Sequence, residues 1–392
     1  MGKKWIPVST FAVVLAVLSC RGQDKTETAG WEILGERNLL ARPKDGVLEG
    51  DTLFLLERTN HLEIFGIHGH DLEVASSVDL SGLSIQSPTC VIRTEGNTLL
   101  WEAETGTLYT IRGGKVVETR RVVEPLPDFW SGSDPIDLTP RGHSCIGVLG
   151  SHFIIEAREY LPQSQSLSTE AHLLEVSPFQ SAIDTIRTFG AASYARKKGQ
   201  VFSCCGRAPV FAQHLQWTSD AQFGLAAVDQ THSELDFWPT VDHEIPPIPI
   251  PFREAEVSLK KMRNYSSRIA RSANPEWNWI QRLRYRMLLF RSPGRVMAEY
   301  SQHGPIVTQI LFDSIGRIWL RAFDPDVWPF GLSSEFLIVN PKTRAISYSS
   351  FPAGIMILDI NQDRALCLKF GDRGSAKLLV LQISEGLGSR GD

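Results

Sequence analysis

The sequence lacks the short motifs that most often carry catalysis. It has no His-Glu-x-x-His pair of zinc ligands, no Cys-x-x-Cys, and no glycine-rich phosphate loop ending in Gly-Lys-Ser or Gly-Lys-Thr. The segment at residues 142–146, Gly-His-Ser-Cys-Ile, starts like a nucleophile elbow but has no glycine at its last position. The sequence therefore gives no motif-based indication of a zinc protease, a thiol oxidoreductase, a nucleotide hydrolase or a serine hydrolase.

Cysteine is scarce, and its placement counts against a disulfide framework. Six cysteines occur in 392 residues. The five beyond residue 20 are odd in number and scattered along the chain: Cys90, Cys145, Cys204, Cys205 and Cys367. The adjacent pair at 204 and 205 is interpreted as two buried structural thiols, with a strained vicinal ring or a soft-metal pair as the alternatives.

Neither charge is in strong excess. The formal net charge is −4 at pH 7, and removing residues 1–19, which carry Lys3 and Lys4, lowers it to −6. A chain with this charge has no excess of basic residues that would bind a polyanion, so no nucleic-acid partner is expected. With 42% hydrophobic and 21% charged residues, the composition is that of a folded protein.

Long hydrophobic runs are also missing, except at the beginning of the chain. Residues 5–18 are mostly apolar and follow Lys3 and Lys4. A membrane-spanning helix needs ~20 apolar residues, so this stretch is too short to span. A basic start followed by a short apolar core is typical of a secretory signal, which predicts export.

The end of this signal, Val17-Leu18-Ser19-Cys20, resembles the lipobox of bacterial lipoproteins. The resemblance implies a signal peptide over residues 1–19, lipidation of Cys20 and a polar tether over residues 20–30. Each buried methylene contributes ~0.8 kcal/mol, so two or three acyl chains would hold the protein at the cell envelope, facing the periplasm or the exterior. A plain cleaved signal that contains a cysteine by chance is the alternative.

A short apolar run that follows a turn and stops on a charged residue recurs along the chain. The charged stops are Glu57, Glu102, Glu156, Asp229, Arg321 and Lys369. They lie 45, 54, 73, 92 and 48 residues apart, and each interval is about one propeller blade, in some cases with an insertion. Four of the runs follow a glycine, at positions 50, 96, 150 and 316.

This repeat predicts an all-β fold, a six-bladed β-propeller over residues 31–384. The more complete copies give up to four short strands, whereas the last copy, residues 355–383, supplies three. Residues 31–40 have a strand-like apolar content, so we expect this N-terminal strand to complete the last blade and close the ring. An open sandwich is the alternative, and it does not account for the spaced repetition. Residues 385–392 are expected to form a disordered tail.

One region departs from the repeat. The proline-rich residues 245–251 favour an extended conformation and cannot form a central strand. After them, an apolar stripe at helical spacing is formed by Ala255, Leu259, Met262 and Ile269. A second helix is expected to start with Asn274 as its cap and Pro275 at its first position. We therefore predict a helical insertion over residues 252–303, between blades four and five.

The turn and strand at residues 312–321, Phe-Asp-Ser-Ile-Gly-Arg-Ile-Trp-Leu-Arg, resembles those of bacterial six-bladed β-propeller proteins related to the NHL-repeat group. Residues 340–344, Asn-Pro-Lys-Thr-Arg, carry the same resemblance, which covers most of residues 31–384. It implies binding or scaffolding more often than catalysis. Related propellers include calcium-dependent esterases and lactonases, so the fold alone does not decide the function.

The charged stops form the first candidate site. Symmetry is expected to gather their four acidic and two basic side chains at one end of the ring, where they would suit a cationic or zwitterionic ligand. These side chains could also bind a hard cation such as calcium through their oxygen atoms, and calcium is the only cofactor that the sequence suggests. The alternative is that strand ends are where charges meet water, with Glu57 and Lys369 pairing across a blade junction for at most ~1 kcal/mol.

The predicted helical insertion forms the second candidate site, because it is strongly basic between residues 260 and 295. The candidate contact residues are Arg282, Arg284, Arg286, Trp277 and Trp279. Basic side chains interleaved with tryptophan suit an anionic lipid surface or an acidic partner. The alternative is a helical hairpin packed on the propeller with a solvated basic side.

These observations predict a membrane-anchored, extracytoplasmic β-propeller that acts as a binding or scaffold module for a protein or a small-molecule ligand. They favour a non-catalytic role, and no catalytic residue or metal ligand is assigned. The alternative is a calcium-dependent hydrolase, similar to an esterase or lactonase, with carboxylates at the mouth of the channel. The two functions differ in geometry, since the hydrolase needs three or more acidic groups within coordination distance.

Overall fold

The structure is a computed structural model, and its described part consists of strands and their connections. The described residues are 32–39, 43–57, 59–68, 71–86, 88–94, 97–102, 105–122, 146–162, 166–176, 183–190, 194–195, 215–230, 232–240, 245–253, 255–258, 261, 304–327, 331–361, 363–370 and 376–383. The predicted signal peptide, tether and tail lie outside them, as does the predicted insertion apart from residues 252, 253, 255–258 and 261. Within this part of the chain, no helix is long and apolar enough to cross a membrane.

The strands form antiparallel units in chain order, after a first strand, β1 (Ile33–Leu39). Unit 1 contains β2 (Asp45–Glu49), β3 (Thr52–Leu56), β4 (His61–His68) and β5 (Asp71–Asp79). Unit 2 contains β6 (Cys90–Thr94), β7 (Asn97–Glu102), β8 (Thr107–Arg112) and β9 (Lys115–Arg121). Unit 3 contains β10 (Gly147–Leu149), β11 (His152–Pro162), β12 (Ser166–Val176) and β13 (Ile183–Gly190), and β14 (Tyr194–Ala195) pairs with β12.

The later units follow the same plan. Unit 4 contains β15 (Gln216–Asp220), β16 (Gly224–Asp229), β17 (Glu234–Pro239) and β18 (Ile245–Pro249). Unit 5 contains β19 (Val307–Phe312), β20 (Ile318–Phe323), β21 (Leu332–Val339) and β22 (Ile346–Ser350). Unit 6 contains β23 (Ile355–Asn361), β24 (Arg364–Phe370) and β25 (Ala376–Gln382). These small sheets are consistent with a β-propeller.

The strand β1 completes unit 6, in the position that the sequence predicts for residues 31–40. It pairs antiparallel with β25, for example Glu36 opposite Leu379. Glu36 also forms a single parallel bridge to Asp71 of β5, so units 6 and 1 share one eight-stranded sheet. The two ends of the described chain are therefore joined within a continuous hydrogen-bonded sheet.

The proline-rich segment forms β18, which is the last strand of unit 4. It pairs with β17 on one side, with Leu235 opposite Ile248 and Glu234 opposite Pro249. Proline lacks an amide hydrogen, so it is tolerated in an edge strand but not in the middle of a sheet. The prediction of an extended, non-central segment is confirmed.

Each unit buries both of its faces. On β20, Ile318 and Leu320 belong to a cluster shared with unit 4, whereas Trp319 between them belongs to a cluster shared with unit 6. Successive side chains of a strand point to opposite faces, so a strand buried on both sides needs an unbroken apolar run. This requirement accounts for the recurrent short apolar run in the sequence.

Hydrophobic clusters fill the spaces between successive units. Five clusters join units 1 and 2, 2 and 3, 3 and 4, 4 and 5, and 5 and 6. In that order they contain Leu56 with Leu100, Trp101 with Phe153, Ile154 with Leu225, Val228 with Leu320, and Trp319 with Leu379. A further cluster contains Leu53 of unit 1 and Leu366 of unit 6. Full burial of one such side chain contributes about 1.5–3 kcal/mol, so the clusters between units are the main source of stability.

The turn that carries the family resemblance is organised by Asp313. Its Oδ1 accepts the backbone N–H of Arg317 at 2.9 Å, and its Oδ2 accepts the indole N–H of Trp319, also at 2.9 Å. Gly316 has a φ of +81°, and a Cβ there would lie 2.7 Å from Phe223 of unit 4. The aspartate and the glycine in this motif are therefore required by the turn and by the neighbouring unit.

The first strand of each unit is a sheet edge, and side chains of neighbouring units bond to its free amides. Asp45 Oδ2 on β2 accepts from Val91 N on β6 at 2.9 Å, and Asp359 Oδ2 on β23 accepts from Leu48 N on β2 at 2.8 Å. The same kind of bond joins Val148 N to Ser219 Oγ at 2.9 Å and Val307 N to Gln230 Oε1 at 3.1 Å. These bonds satisfy edge amides that water would otherwise have to satisfy.

Cys90, the first residue of β6, is disulfide-bonded, whereas Cys367 is a buried free thiol. The cysteines other than these two lie outside the described residues. The scattered spacing counts against a disulfide framework, yet Cys90 takes part in one cross-link.

Asp45 and Asp359 make stability depend on pH. Burial raises the pKa of Asp45 to about 7, with a further contribution from the charge of Asp359. Burial raises the pKa of Asp359 to about 6, with a further contribution from Asp220. In the unfolded chain both groups titrate near ~3.9. Between those values and pH ~7 the folded state binds protons that the unfolded state does not, so stability is lost as the pH rises through this window.

We therefore expect the free energy of unfolding of the unsubstituted protein, measured by urea denaturation, to increase as the pH is lowered from 8 to 5. The Asp45→Asn, Asp359→Asn double variant should not show this increase, because it lacks both titrating groups. Asp184→Asn, at an exposed position on β13, is the matched control and should track the unsubstituted protein. A pH-independent difference between the unsubstituted and doubly substituted proteins would contradict this assignment.

Candidate functional site

The predicted charged stops all lie in, or directly after, the second strand of a unit. Glu102 and Asp229 are the last residues of β7 and β16, and Glu57 follows β3. Glu156 lies in the middle of the long β11, Arg321 is two residues before the end of β20, and Lys369 is one residue before the end of β24. Glu102, Glu156, Asp229 and Arg321 are buried, whereas Glu57 and Lys369 are half-buried.

Glu102 is held by unit 2 and by the connection that leads into it. Its Oε1 accepts the backbone N–H of Gln86 at 3.0 Å, and its Oε2 accepts the hydroxyls of Thr105 at 2.7 Å and Tyr109 at 3.0 Å. Burial raises the pKa of Tyr109, and the hydrogen bond to Glu102 adds to this shift. These bonds give the carboxylate a structural role in ordering the loop around residue 105.

Arg321 joins units 5 and 6. Its guanidinium donates to the carbonyl oxygens of Ser333 at 2.7 Å, Pro352 at 2.9 Å and Ile355, and it lies over the ring of Phe336, 4.9 Å from the centroid. The side chain is 0% exposed. The planar fork of arginine reaches three carbonyl groups at once, which a lysine ammonium on a single stem does not reproduce.

The Arg321→Lys substitution is expected to lower the free energy of unfolding by about 2–4 kcal/mol, because buried carbonyl groups lose their donors. Urea denaturation measures this loss. Arg112→Lys is the matched control, since Arg112 is exposed and bonds only to Asn97 Oδ1 among the contacts described; its change is expected to stay within ~0.5 kcal/mol. Equal losses in the two variants would show that Arg321 does not hold the two units together.

The remaining stops differ in their surroundings. Glu57 Oε2 accepts the hydroxyl of Thr59 at 2.9 Å in its own turn, and Lys369 is opposite Lys377 of β25. Glu156 Oε2 accepts the indole N–H of Trp217 at 3.0 Å, across the interface between units 3 and 4. The role of the six stops as one ligand-binding ring stays a prediction.

Asp229 belongs to a group of charged residues at this same interface. We call the charged seam the set Arg187, Asp229, His232, Glu234 and Asp236. Arg187 of β13 donates to Asp236 Oδ1 and its Nη2 lies 3.9 Å from Asp229 Oδ2. His232 Nδ1 lies 2.8 Å from the same Oδ2, and the backbone N–H of His232 donates to Asp229 Oδ1 at 3.1 Å.

Strand register explains why the carboxylates of the charged seam converge. On the β16–β17 pair, Asp229 is opposite Glu234 and Ala227 is opposite Asp236. Side chains two residues apart on a strand share a face, so these residues all project from one face of unit 4. Ala227 and Leu225 of that face pack with Leu173 of unit 3, so this face of unit 4 points towards unit 3.

Burial governs the electrostatics of the charged seam. It raises the pKa of Asp236 to about 6, with Arg187 lowering the value and Asp229 and Glu234 adding to the rise. The hydrogen bond to Asp229 raises the pKa of His232. Among the described residues of the seam, three carboxylates are thus set against one guanidinium and one imidazole.

The carboxylates of the charged seam offer acceptor oxygens at the interface between units 3 and 4. Carboxylate oxygens accept N–H donors or coordinate hard cations. Among the described residues, no three His, Cys, Asp or Glu side chains are arranged to hold a metal ion. The predicted calcium site and the carboxylate convergence required for a hydrolase therefore remain untested predictions.

The sequence motifs do not predict Arg187, His232, Glu234 or Asp236 as site residues. The two acidic residues could have been noticed, because they lie on the face of β17 that packs against apolar side chains. A charged residue is unusual there unless it has a partner. No local pattern marks Arg187, because its role depends on how two units meet. The predicted lipidation site, Cys20, and the predicted contact residues Arg282, Arg284, Arg286, Trp277 and Trp279 lie outside the described residues.

A separate cavity of about 180 Å³ lies between units 2 and 3. Its lining includes the apolar Leu99, Leu108 and Phe153 together with Glu118 and Arg120. The two charged residues bond to each other at 2.8 Å. The charged groups of this cavity are therefore already paired.

No known family model matches the chain, and neither does any curated protein. Similar solved structures include a catalytically inactive virginiamycin B lyase from Staphylococcus aureus with quinupristin, at 9% identity and a TM-score of 0.38, over 89% of this chain and 99% of that one. A DUF4221 family member from Bacteroides vulgatus is 8% identical, with a TM-score of 0.37 over 90% and 98% of the two chains. A streptogramin B lyase is 11% identical, with a TM-score of 0.36 over 90% and 97%. The assignment of the fold and the candidate site rests on the geometry described above.

Proposed function

We propose that the protein is an exported, lipid-anchored, six-bladed β-propeller, related to the NHL-repeat group, that binds a ligand at the end of the ring where the charged stops lie. In this proposal the chain is a binding module and not an enzyme. Cys20 is the lipidated residue, and the predicted helical insertion, residues 252–303, projects between blades four and five. The support comes from three independent features.

The first feature is the cyclic order of the hydrophobic clusters. Each of the units 1 to 6 shares a cluster with the next, and the cluster around Leu53 and Leu366 joins the last unit to the first. In a propeller each blade packs its two faces on its two neighbours, and closure leaves no blade face exposed. Each unit therefore corresponds to one blade, which supports six blades.

The second feature is the disulfide at Cys90. Disulfides persist in oxidising compartments and are rare in the cytosol, so a cross-link in the body of the chain supports export. It agrees with the basic and apolar start of the sequence, and with the lipobox-like ending at Ser19 and Cys20.

The third feature, which carries the binding role, is the charged seam. Asp229 and Asp236 have side chains only 8% and 4% exposed, and they are placed at a blade interface where hydrophobic packing would contribute more to stability than charge. Buried carboxylates that the fold does not need for its core are typical of binding sites. Asp229 is itself one of the predicted charged stops, which supports a ligand site at that end of the ring.

The Cys20→Ala substitution tests the anchoring part of the proposal. We expect the unsubstituted protein to incorporate labelled fatty acid and to sediment with membranes, and Cys20→Ala to lose the label and appear in the soluble extracytoplasmic fraction, because a membrane-bound acyl chain contributes ~0.8 kcal/mol per methylene. Cys367→Ala, at a buried free thiol, is the control and should behave as the unsubstituted protein. Membrane association of Cys20→Ala would leave the insertion as the anchor, and liposome flotation with and without residues 252–303 would identify it.

Thermal melting with calcium tests binding against hydrolysis. A ligand present at a hundred times its dissociation constant stabilises a protein by ~2.7 kcal/mol, which is readily seen as a shift in melting temperature. Because the charged seam suits N–H donors, we expect no shift at millimolar calcium. A shift that the Asp229→Asn substitution removes would instead favour the calcium-dependent hydrolase.

A further inference from the structure

We infer that the charged seam receives an organic cation, an alkylammonium or guanidinium group, which donates to Asp236 Oδ2 beside the guanidinium of Arg187. This inference rests on the proposed binding role and adds the chemical class of the ligand. It follows from an acceptor atom without a partner, from the charge balance of the seam and from the way in which Arg187 already occupies it.

Asp236 is a buried carboxylate that is only half satisfied. The residue is 3% exposed, and its Oδ1 accepts from Arg187. Its Oδ2 is buried and has no hydrogen-bond partner. A buried acceptor of this kind is costly to leave unpaired, and it is aimed into the interface between units 3 and 4. The missing partner must be a donor.

The donor must also carry positive charge. Asp229 and Glu234 lie on the same face as Asp236, and the charge of each contributes to raising the pKa of Asp236. Among the described residues, the cationic groups of the seam are Arg187 and the titratable His232. A charged donor makes a stronger hydrogen bond to a carboxylate than a neutral donor does, so a cation fits Oδ2 better than a neutral group.

Arg187 shows that the seam accommodates the geometry of an N–H donor. Its guanidinium bonds to Asp236 on one side and lies over the ring of Phe189, 5.3 Å from the centroid. A second N–H group on the other oxygen of Asp236 would give this carboxylate a donor on each oxygen, the arrangement that charge-assisted pairs favour. Arg187 is thus an example, within the chain, of the kind of cationic group that the seam is inferred to bind.

Two side chains that bond to the carboxylates of the charged seam are partly exposed. The side chain of Arg187, which bonds to Asp236, is 35% exposed. The side chain of His232, which bonds to Asp229, is 69% exposed. The seam is therefore in contact with solvent through these two side chains.

Calorimetric titration of the full chain in detergent micelles at pH 7.5 tests the inference, with butylammonium, methylguanidinium and tetramethylammonium as probes. Tetramethylammonium carries the same charge but has no N–H donor. We expect saturable binding of the first two probes and binding of tetramethylammonium that is weaker by about tenfold or more. Equal binding of all three would overturn the inference, because it would reduce the seam to a diffuse negative field.

Substitutions locate the binding. Asp236→Asn is expected to weaken butylammonium binding by about tenfold, whereas Asp184→Asn, at an exposed position on Arg187's own strand, should leave it unchanged. If Asp236→Asn fails to fold, Asp229→Asn provides the second variant and should also weaken binding. Binding that is the same in the aspartate variants and the control would overturn the inference, while the membrane fractionation of Cys20→Ala would still decide the anchoring independently.

Two further probes distinguish the sources of such a cation. Agmatine represents a free small amine, and N-acetyl-arginine amide represents the side chain of a protein partner. Tighter binding of agmatine supports a small-molecule ligand, and tighter binding of the arginine derivative supports a protein. If none of the four compounds with an N–H donor binds (agmatine, N-acetyl-arginine amide, butylammonium and methylguanidinium), the inferred ligand class is wrong.

Discussion

Each sheet unit of this protein is buried on both faces between two neighbours, and the other features follow from that packing. A second strand such as β20 has to be apolar at every position, with Ile318 and Leu320 facing one unit and Trp319 the other. Units packed in this way need a neighbour on each side, so a linear stack would leave two apolar faces exposed to water. Closure through β1 and the cluster around Leu53 and Leu366 removes that exposure.

The same packing sets strict conditions on polar groups between units. Arg321 is completely buried and donates to three carbonyl groups, and Asp45 and Asp359 each accept an edge amide from the next unit. Such residues join neighbouring units and have their hydrogen-bonding capacity used by the fold. Asp236 differs because one of its oxygens lacks a partner in the same kind of interface. A polar group that the packing does not satisfy is where recognition of another molecule is expected.

Much of the architecture could be predicted from the sequence because it depends on local chemistry. The apolar runs, the proline-rich β18 and the turn built by Asp313 and Gly316 each follow from short-range rules of strand packing, missing amide hydrogens and left-handed backbone. The candidate site could not be predicted in the same way. Arg187 and Asp236 meet only because of the register of β13 and β17 in different units.

Closure of the chain on itself through β1 gives every unit a neighbour on both faces. Hydrogen exchange of the backbone amides of residues 33–39 tests this closure. We expect the amides of β1 that bond to β25 to exchange as slowly as those of β24, because opening β1 would expose the cluster that joins units 6 and 1. Exchange of these amides at the rate of an unprotected chain, while β24 remains protected, would contradict closure.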